Sequence, residues 1–122
     1  MTINKAFMDK CFKISQKSTV ERAKYCCVIA YKKNPLVLAH NPSFYGLEDK
    51  FTIHAEEFAI LRANRMNIFN RYNALDMYVF RFNNDGDMRI SKPCIKCHNL
   101  IKMANIFSVT YFDGKEIQRY DL

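Results

Sequence analysis

Two short segments of the chain carry most of its reactive side chains. The first places a histidine at position 54 and a glutamate at 56, and the second reads Pro-Cys-Ile-Lys-Cys from 93 to 97. One imidazole and two thiolates make three protein ligands for Zn²⁺, and such a tetrahedral site keeps its fourth position open for water. Because an open position distinguishes a catalytic zinc from a structural one, we interpret Glu56 as the proton carrier that such a site needs.

The spacing of the two cysteines predicts where they lie in the fold. Cys94 and Cys97 are three residues apart, so both thiolates can face one metal ion at the start of a helix. Pro93 suits the first turn of that helix, where a missing N–H costs nothing. The positive end of the helix and the metal both favour thiolate over thiol.

The histidine segment begins a second helix in our interpretation. Apolar residues recur with helical spacing over 52–66, which places His54 near the start of that helix. Glu56 is two residues further on, so it points to a different side from His54. It is therefore expected to reach the bound water rather than the metal.

Each half of the pattern is weak by itself. A lone C-x-x-C in an intracellular chain is often a structural zinc site or a redox pair. The two halves in this order, each at a predicted helix start, favour a catalytic zinc over a structural one or an inactive zinc-bearing module.

Composition is typical of a globular protein. The chain has 122 residues, of which 49% are hydrophobic, and we expect one domain over 1–122. It has no apolar run long enough for a bilayer and no secretory signal pattern, so the expectation is a cytoplasmic protein without membrane contact. Five cysteines cannot all pair, and Cys11, Cys26 and Cys27 are expected to be buried free thiols.

Periodicity and turn residues predict the order α-β-β-α-β-α-β-β. The predicted helices are 3–15, 52–66 and 94–105. The predicted strands are 26–31, 36–39, 76–82, 106–112 and 115–120. Residues 83–89 form a turn-rich excursion, and the Asp113-Gly114 pair predicts a hairpin before the last strand.

This motif order resembles the cytidine deaminase superfamily, and the resemblance covers nearly the whole chain. It implies an α/β fold of three α-β-α layers with a five-stranded mixed sheet. It also implies Zn²⁺ as the cofactor, held by His54, Cys94 and Cys97, with Glu56 as the catalytic residue. The stretch from 91 to 101 resembles small phage- and virus-type members.

The resemblance also implies contacts with a substrate. Asn41 matches the asparagine that holds the ribose 3′-hydroxyl, and the backbone N–H of Ala55 would contact the pyrimidine O2. A stacking aromatic is expected, for which Phe44 and Tyr45 are the candidates because their loop leads into the site. Arg89 and Lys92 either neutralise thiolate charge, meet a substrate phosphate or are simply exposed.

The end of the chain favours one branch of the superfamily. Only eight residues follow Gly114, too few for the crossover that a parallel strand needs, so the last strand is predicted to be antiparallel. Free cytidine and blasticidin deaminases resemble this arrangement, as do some bacterial toxin deaminases that act on DNA.

Two enzymatic functions therefore stay open. The first is deamination of cytosine in cytidine, deoxycytidine or dCMP to uracil, by a homo-oligomer (dimer or tetramer) as the resemblance implies. The second is deamination of cytosine in single-stranded nucleic acid, which the net charge of +7 favours. An inactive zinc-bearing module is a third possibility, against which the intact Glu56 argues.

Overall fold

The computed structural model describes residues 5–17, 24–41, 43–44, 51–52 and 54–122, with the backbone alone at 43–44 and 51–52. Within these ranges the helices are α1 (Lys5–Ser15), α2 (Ala55–Arg65), α3 (Ile68–Arg71) and α4 (Ile95–Met103). The strands are β1 (Lys24–Tyr31), β2 (Asn34–His40), β3 (Ser43–Phe44), β4 (Phe51–Thr52), β5 (Leu75–Phe82), β6 (Met88–Arg89), β7 (Ile106–Phe112) and β8 (Ile117–Asp121). No helix in the described ranges is long and apolar enough to cross a membrane.

The main sheet is mixed, as predicted. Its strand order is β2-β1-β5-β7-β8, with the short β6 beside β5, while β3 and β4 pair separately. Strand β5 runs antiparallel to β1 and parallel to β7. A parallel pair needs a long connection, and α4 lies within the one that joins β5 to β7.

Helices cover both faces of this sheet. Alternation along β1 and β5 sends side chains to opposite faces, so each strand contributes to two cores. On one face Cys26, Val28 and Phe80 pack with residues of α1. On the other face Ile29 and Val79, with their neighbours on the same side, pack with residues of α2 and α4. We call these the α1 face and the α2/α4 face.

The antiparallel last strand is confirmed. Strands β7 and β8 pair from Ser108 with Asp121 to Phe112 with Ile117. The turn between them depends on Asp113, whose Oδ1 accepts hydrogen bonds from the backbone N–H groups of Lys115 and Glu116. Gly114 has φ of +106°, a conformation that glycine adopts without steric cost.

The two helices predicted to carry the ligands begin later than expected. Helix α2 begins at Ala55, and residues 51–52 form β4 and are not the first turn of that helix. Helix α4 begins at Ile95, so Pro93 lies one residue ahead of the N-cap, not in the first turn as predicted. The apolar pattern that predicts a helix can extend into a preceding short strand or into the N-cap residue. The first residue of a helix is therefore poorly predicted from that pattern.

The excursion at 83–89 is a β-hairpin. Strand β5 ends at Phe82, and after the turn β6 pairs antiparallel with the end of β5. Asn83 holds the tip, since its Oδ1 accepts hydrogen bonds from the backbone N–H groups of Asp85 and Asp87. The Phe12 ring of α1 packs edge-on against Phe82, with 5.5 Å between ring centroids.

Candidate zinc centre and active site

The starts of two helices bring the predicted ligands together. His54 is the N-cap of α2 and Cys94 the N-cap of α4, and both have extended backbone conformations. Their carbonyl groups accept the first helical hydrogen bonds, from the N–H groups of Phe58 and His98. Neither side chain caps its own helix by a hydrogen bond, so the side chains are available as metal ligands.

The three donor atoms fit a tetrahedral zinc. The donor atoms of His54, Cys94 and Cys97 all lie within 4.8 Å of one another. His54 Nδ1 is 3.2 Å from Cys97 Sγ and 3.7 Å from Cys94 Sγ. Zinc bonds of about 2.3 Å to sulfur and about 2.0 Å to nitrogen, at a tetrahedral angle, separate N and S by about 3.5 Å. The donor set and its spacing therefore suit the metal.

The ligands differ in exposure. Cys97 is fully buried, whereas His54 and Cys94 are exposed. Burial, together with the charges of Glu56 and Cys94, raises the pKa of the Cys97 thiol. A metal ion bound there must displace that proton, so zinc binding at this site is coupled to proton release.

Glu56 is the buried carboxyl group beside these ligands. Only 4% of the residue is exposed, and burial raises the pKa of its carboxyl group above the usual range. A hydrogen bond from its own backbone N–H, the nearby His54 imidazole and a hydrogen bond with Cys97 partly offset that rise in pKa. A raised pKa makes a carboxylate a stronger base toward a nearby proton donor.

The neighbouring acid, Glu57, has a different role. Its carboxylate lies 3.4 Å from Lys96 Nζ, and this ion pair joins the first turns of α2 and α4. Lys96 is 68% exposed, so the pair contributes little stability.

Ser91 positions the segment that leads to Cys94. Its hydroxyl donates a hydrogen bond to the Val79 carbonyl (2.8 Å) and accepts one from the Phe112 N–H (2.9 Å). The segment is thereby held between β5 and β7, which run parallel. Sequence reasoning had not assigned Ser91 this role.

The predicted substrate contacts have different surroundings. Ala55 is the buried first residue of α2. Asn41 is buried at the end of β2, where its Oδ1 accepts a hydrogen bond from the Tyr25 N–H at 2.9 Å. Phe44 lies in β3, with its side chain outside the described residues, and Tyr45 lies outside them altogether.

Tyr25 and Arg81 are two further residues near the centre that sequence reasoning missed. They are cross-strand partners of β1 and β5, and the Arg81 guanidinium lies 5.8 Å from the Tyr25 ring centroid. Burial raises the pKa of Tyr25, Arg81 lowers it, and the charges of Glu56 and Cys94 raise it. Tyr25 is therefore within electrostatic reach of both the candidate acid and a candidate ligand.

An open groove of about 400 Å³ lies next to Cys94. It is lined by Lys92, Pro93, Ile95, His98, Tyr111 and Tyr120. His98 does not join the ligand cluster; its Nδ1 lies 3.2 Å from the Tyr120 hydroxyl.

Comparison with known proteins places the chain in a family. The family model of the cytidine and deoxycytidylate deaminase zinc-binding region matches residues 1–113, a range that contains all of the candidate ligands and Glu56. No curated protein matches the chain.

Several solved structures share the fold. Cytidine deaminase from Burkholderia pseudomallei has a TM-score of 0.68 and 11% identity, over 98% of this chain and 93% of that one. Cytidine deaminase from Mycobacterium leprae has a TM-score of 0.59 and 14% identity, over 97% and 94%. The dCMP deaminase from cyanophage S-TIM5, solved in complex with dCMP and dUMP, has a TM-score of 0.60 and 16% identity, over 88% and 82%. From the family match and this shared fold, we conclude that the chain belongs to the zinc-binding cytidine and deoxycytidylate deaminase family.

Proposed function

We propose that the chain is a zinc-dependent hydrolase that converts the cytosine of a free nucleoside or nucleotide to uracil and releases ammonia. The substrate is cytidine, deoxycytidine or dCMP. The observation that carries this proposal is the convergence of one imidazole and two thiols within 4.8 Å, beside the buried carboxyl group of Glu56. Family membership and the named activities of the similar structures support it.

His54, Cys94 and Cys97 would hold the metal. When bound, zinc supplies a nucleophilic water near neutral pH, because it lowers the pKa of that water. Three protein ligands leave room for water in the fourth position.

Glu56 would perform the proton transfers. It takes a proton from the attacking water, gives it to ring N3, and later carries a proton to the exocyclic amine, which leaves as ammonia. Burial raises the pKa of this carboxyl group, which makes its carboxylate a stronger base for the first of these transfers.

Asn41, Ala55 and Phe44 would bind the substrate. The Ala55 backbone N–H meets the pyrimidine O2, and Phe44 stacks on the base. The Tyr25 N–H donates a hydrogen bond to Asn41 Oδ1 and so helps to fix the Asn41 side chain, which would contact a sugar hydroxyl.

Deamination of cytosine in single-stranded nucleic acid is the second candidate. The groove beside Cys94 favours it, because two tyrosines and a lysine can stack a base and meet a phosphate. The net charge of +7 agrees with a polyanionic partner.

Assay of one preparation on cytidine, deoxycytidine, dCMP and a cytosine-containing oligonucleotide separates the two functions. We expect kcat/KM to be higher on a free nucleoside or nucleotide than per cytosine of the oligonucleotide. Activity confined to the oligonucleotide, and weakened steeply by salt, would establish the second function.

We also propose that the enzyme is a dimer or tetramer. Several large apolar side chains are exposed, among them Ile95 at 82% and Met103 at 79%, and a second copy could cover them. Light scattering at micromolar concentration should give a multiple of 14.4 kDa, and a clean monomer would refute this.

A further inference from the structure

A row of side chains crosses the zinc-proximal end of the sheet. Arg81 of β5 lies directly opposite Tyr25 of β1 on one side and opposite Arg89 of β6 on the other. The Tyr25 N–H bonds Asn41, which extends the row to the end of β2. Directly paired residues on adjacent strands share a face, so Tyr25, Arg81 and Arg89 lie on one face of the sheet.

That face is the one that carries the candidate active site. Val79, two residues before Arg81 on β5, belongs to the α2/α4 core, and Tyr25 packs against the same core. Ser91, three residues before Cys94, bonds the Val79 carbonyl. Arg81 therefore lies on the same face as, and near, the segment that delivers a candidate zinc ligand.

The paired arginines are unfavourable by themselves. Like charges directly opposite on antiparallel strands destabilise the pair, and Arg81 and Arg89 occupy such positions. Two cationic side chains side by side on one face make a positively charged patch, which suits an anionic ligand.

Arg81 is also held in place. Its Nε is buried, and its guanidinium packs over the Tyr25 ring at 5.8 Å, within the range of a cation–π interaction. A held guanidinium loses little conformational entropy when it binds a phosphate through two parallel hydrogen bonds. A surface arginine that moves freely would lack this advantage.

We propose that Arg81 and Arg89 form a phosphate subsite beside the zinc centre. This rests on the proposed function and narrows it, because it makes a cytosine nucleoside monophosphate the preferred substrate over the nucleoside. Arg81 is the principal contact, and Arg89 adds charge from the hairpin at 83–89.

Equilibrium binding to the zinc-loaded enzyme tests the subsite without turnover. Wild type should bind dUMP about 10- to 100-fold more tightly than deoxyuridine, as expected for a charge-assisted contact. The ratio of the Kd for deoxyuridine to the Kd for dUMP should fall close to one in Arg81→Gln and should be intermediate in Arg81→Lys. Equal binding of the two ligands by wild type would overturn the proposal.

Arg71→Gln is the matched control. Arg71 also packs over a tyrosine, with its guanidinium 5.6 Å from the Tyr72 ring, but it lies in α3, just before the start of β5. This variant should keep the wild-type ratio of the two Kd values. A loss of that ratio in the control would overturn the assignment to Arg81. Arg89→Gln, at an exposed position, should lower the ratio without disturbing the core, and an unchanged ratio would remove Arg89 from the subsite.

Turnover gives the second measurement. The ratio of kcat/KM for dCMP to kcat/KM for deoxycytidine should fall about 10- to 100-fold in Arg81→Gln. An equal loss on both substrates would make Arg81 structural, and a loss seen only on an oligonucleotide would overturn the monophosphate assignment. Failure of wild type to deaminate any cytosine compound would refute the proposed function, a result distinct from equal binding of dUMP and deoxyuridine.

Discussion

The two faces of the sheet use the same strands for different purposes. On the α1 face, the buried core cluster consists of apolar side chains, the thiols of Cys11 and Cys26, and the ring of Tyr78. The α2/α4 face has a similar apolar centre, but at one end it carries the candidate ligands, Glu56 and the pair Tyr25 and Arg81. Stability and chemistry are therefore partly separated by the alternation of side chains along β1 and β5.

Glu56→Gln is expected to give the largest change in activity. An amide cannot carry protons, so kcat should fall by at least about 10²–10⁴-fold, while zinc content and melting temperature stay near wild type. Glu57→Gln is the matched control, because the adjacent carboxylate pairs with Lys96 and should leave kcat nearly unchanged. A near wild-type kcat in Glu56→Gln would refute its role, and loss of zinc would make Glu56 a ligand.

Phe80→Ala tests the α1 face. This side chain is fully buried in the α1-face core, and its truncation should lower the free energy of unfolding by about 3–5 kcal/mol. Enzyme that remains folded should keep most of its kcat, since the substitution lies on the face opposite Glu56. Phe107→Ala, at a site 46% exposed, should cost much less. If kcat fell in parallel with stability for Phe80→Ala, the separation of the two faces would be wrong.

The turn between β7 and β8 should give the smallest effect, one that depends on pH. Backbone hydrogen bonds from Glu116 and Lys115 lower the pKa of Asp113. The ionised form therefore stabilises the turn above the unfolded pKa, near 4, and this contribution is lost as pH falls through the lowered pKa. Asp113→Asn should lower the melting temperature at pH 7 but change it less at pH 3. An equal change at both pH values would contradict this.

Local patterns in the sequence indicated the candidate ligands and the last strand. The histidine and two cysteines stood out because their order resembles a family signature, and the structure brings their donor atoms together. The antiparallel β8 was predicted from the few residues after Gly114 and is confirmed. The start of α2 was placed at residue 52, which lies in β4, whereas the helix begins at Ala55. Periodicity does not distinguish a short strand from a first helical turn.

Residues brought together by strand pairing could not be predicted. Tyr25 and Arg81 are far apart in the chain, and only the register of β1 against β5 makes them neighbours. Arg89 was already a candidate phosphate contact from the sequence, but its position directly opposite Arg81 was not predicted, because it depends on the pairing of β6 with β5. The sequence held one local signal for Arg81: it follows Met77 and Val79 at two-residue intervals, which places all three on the same face of β5.

The most direct test of the account is zinc content measured together with cytosine deamination. Purified wild type should contain about one zinc per chain and should form dUMP and ammonia from dCMP in equal amounts. Chelation should abolish both, zinc should restore both, and Cys97→Ala should have neither. Full deamination by zinc-free protein, or an unchanged zinc content in Cys97→Ala, would contradict the account.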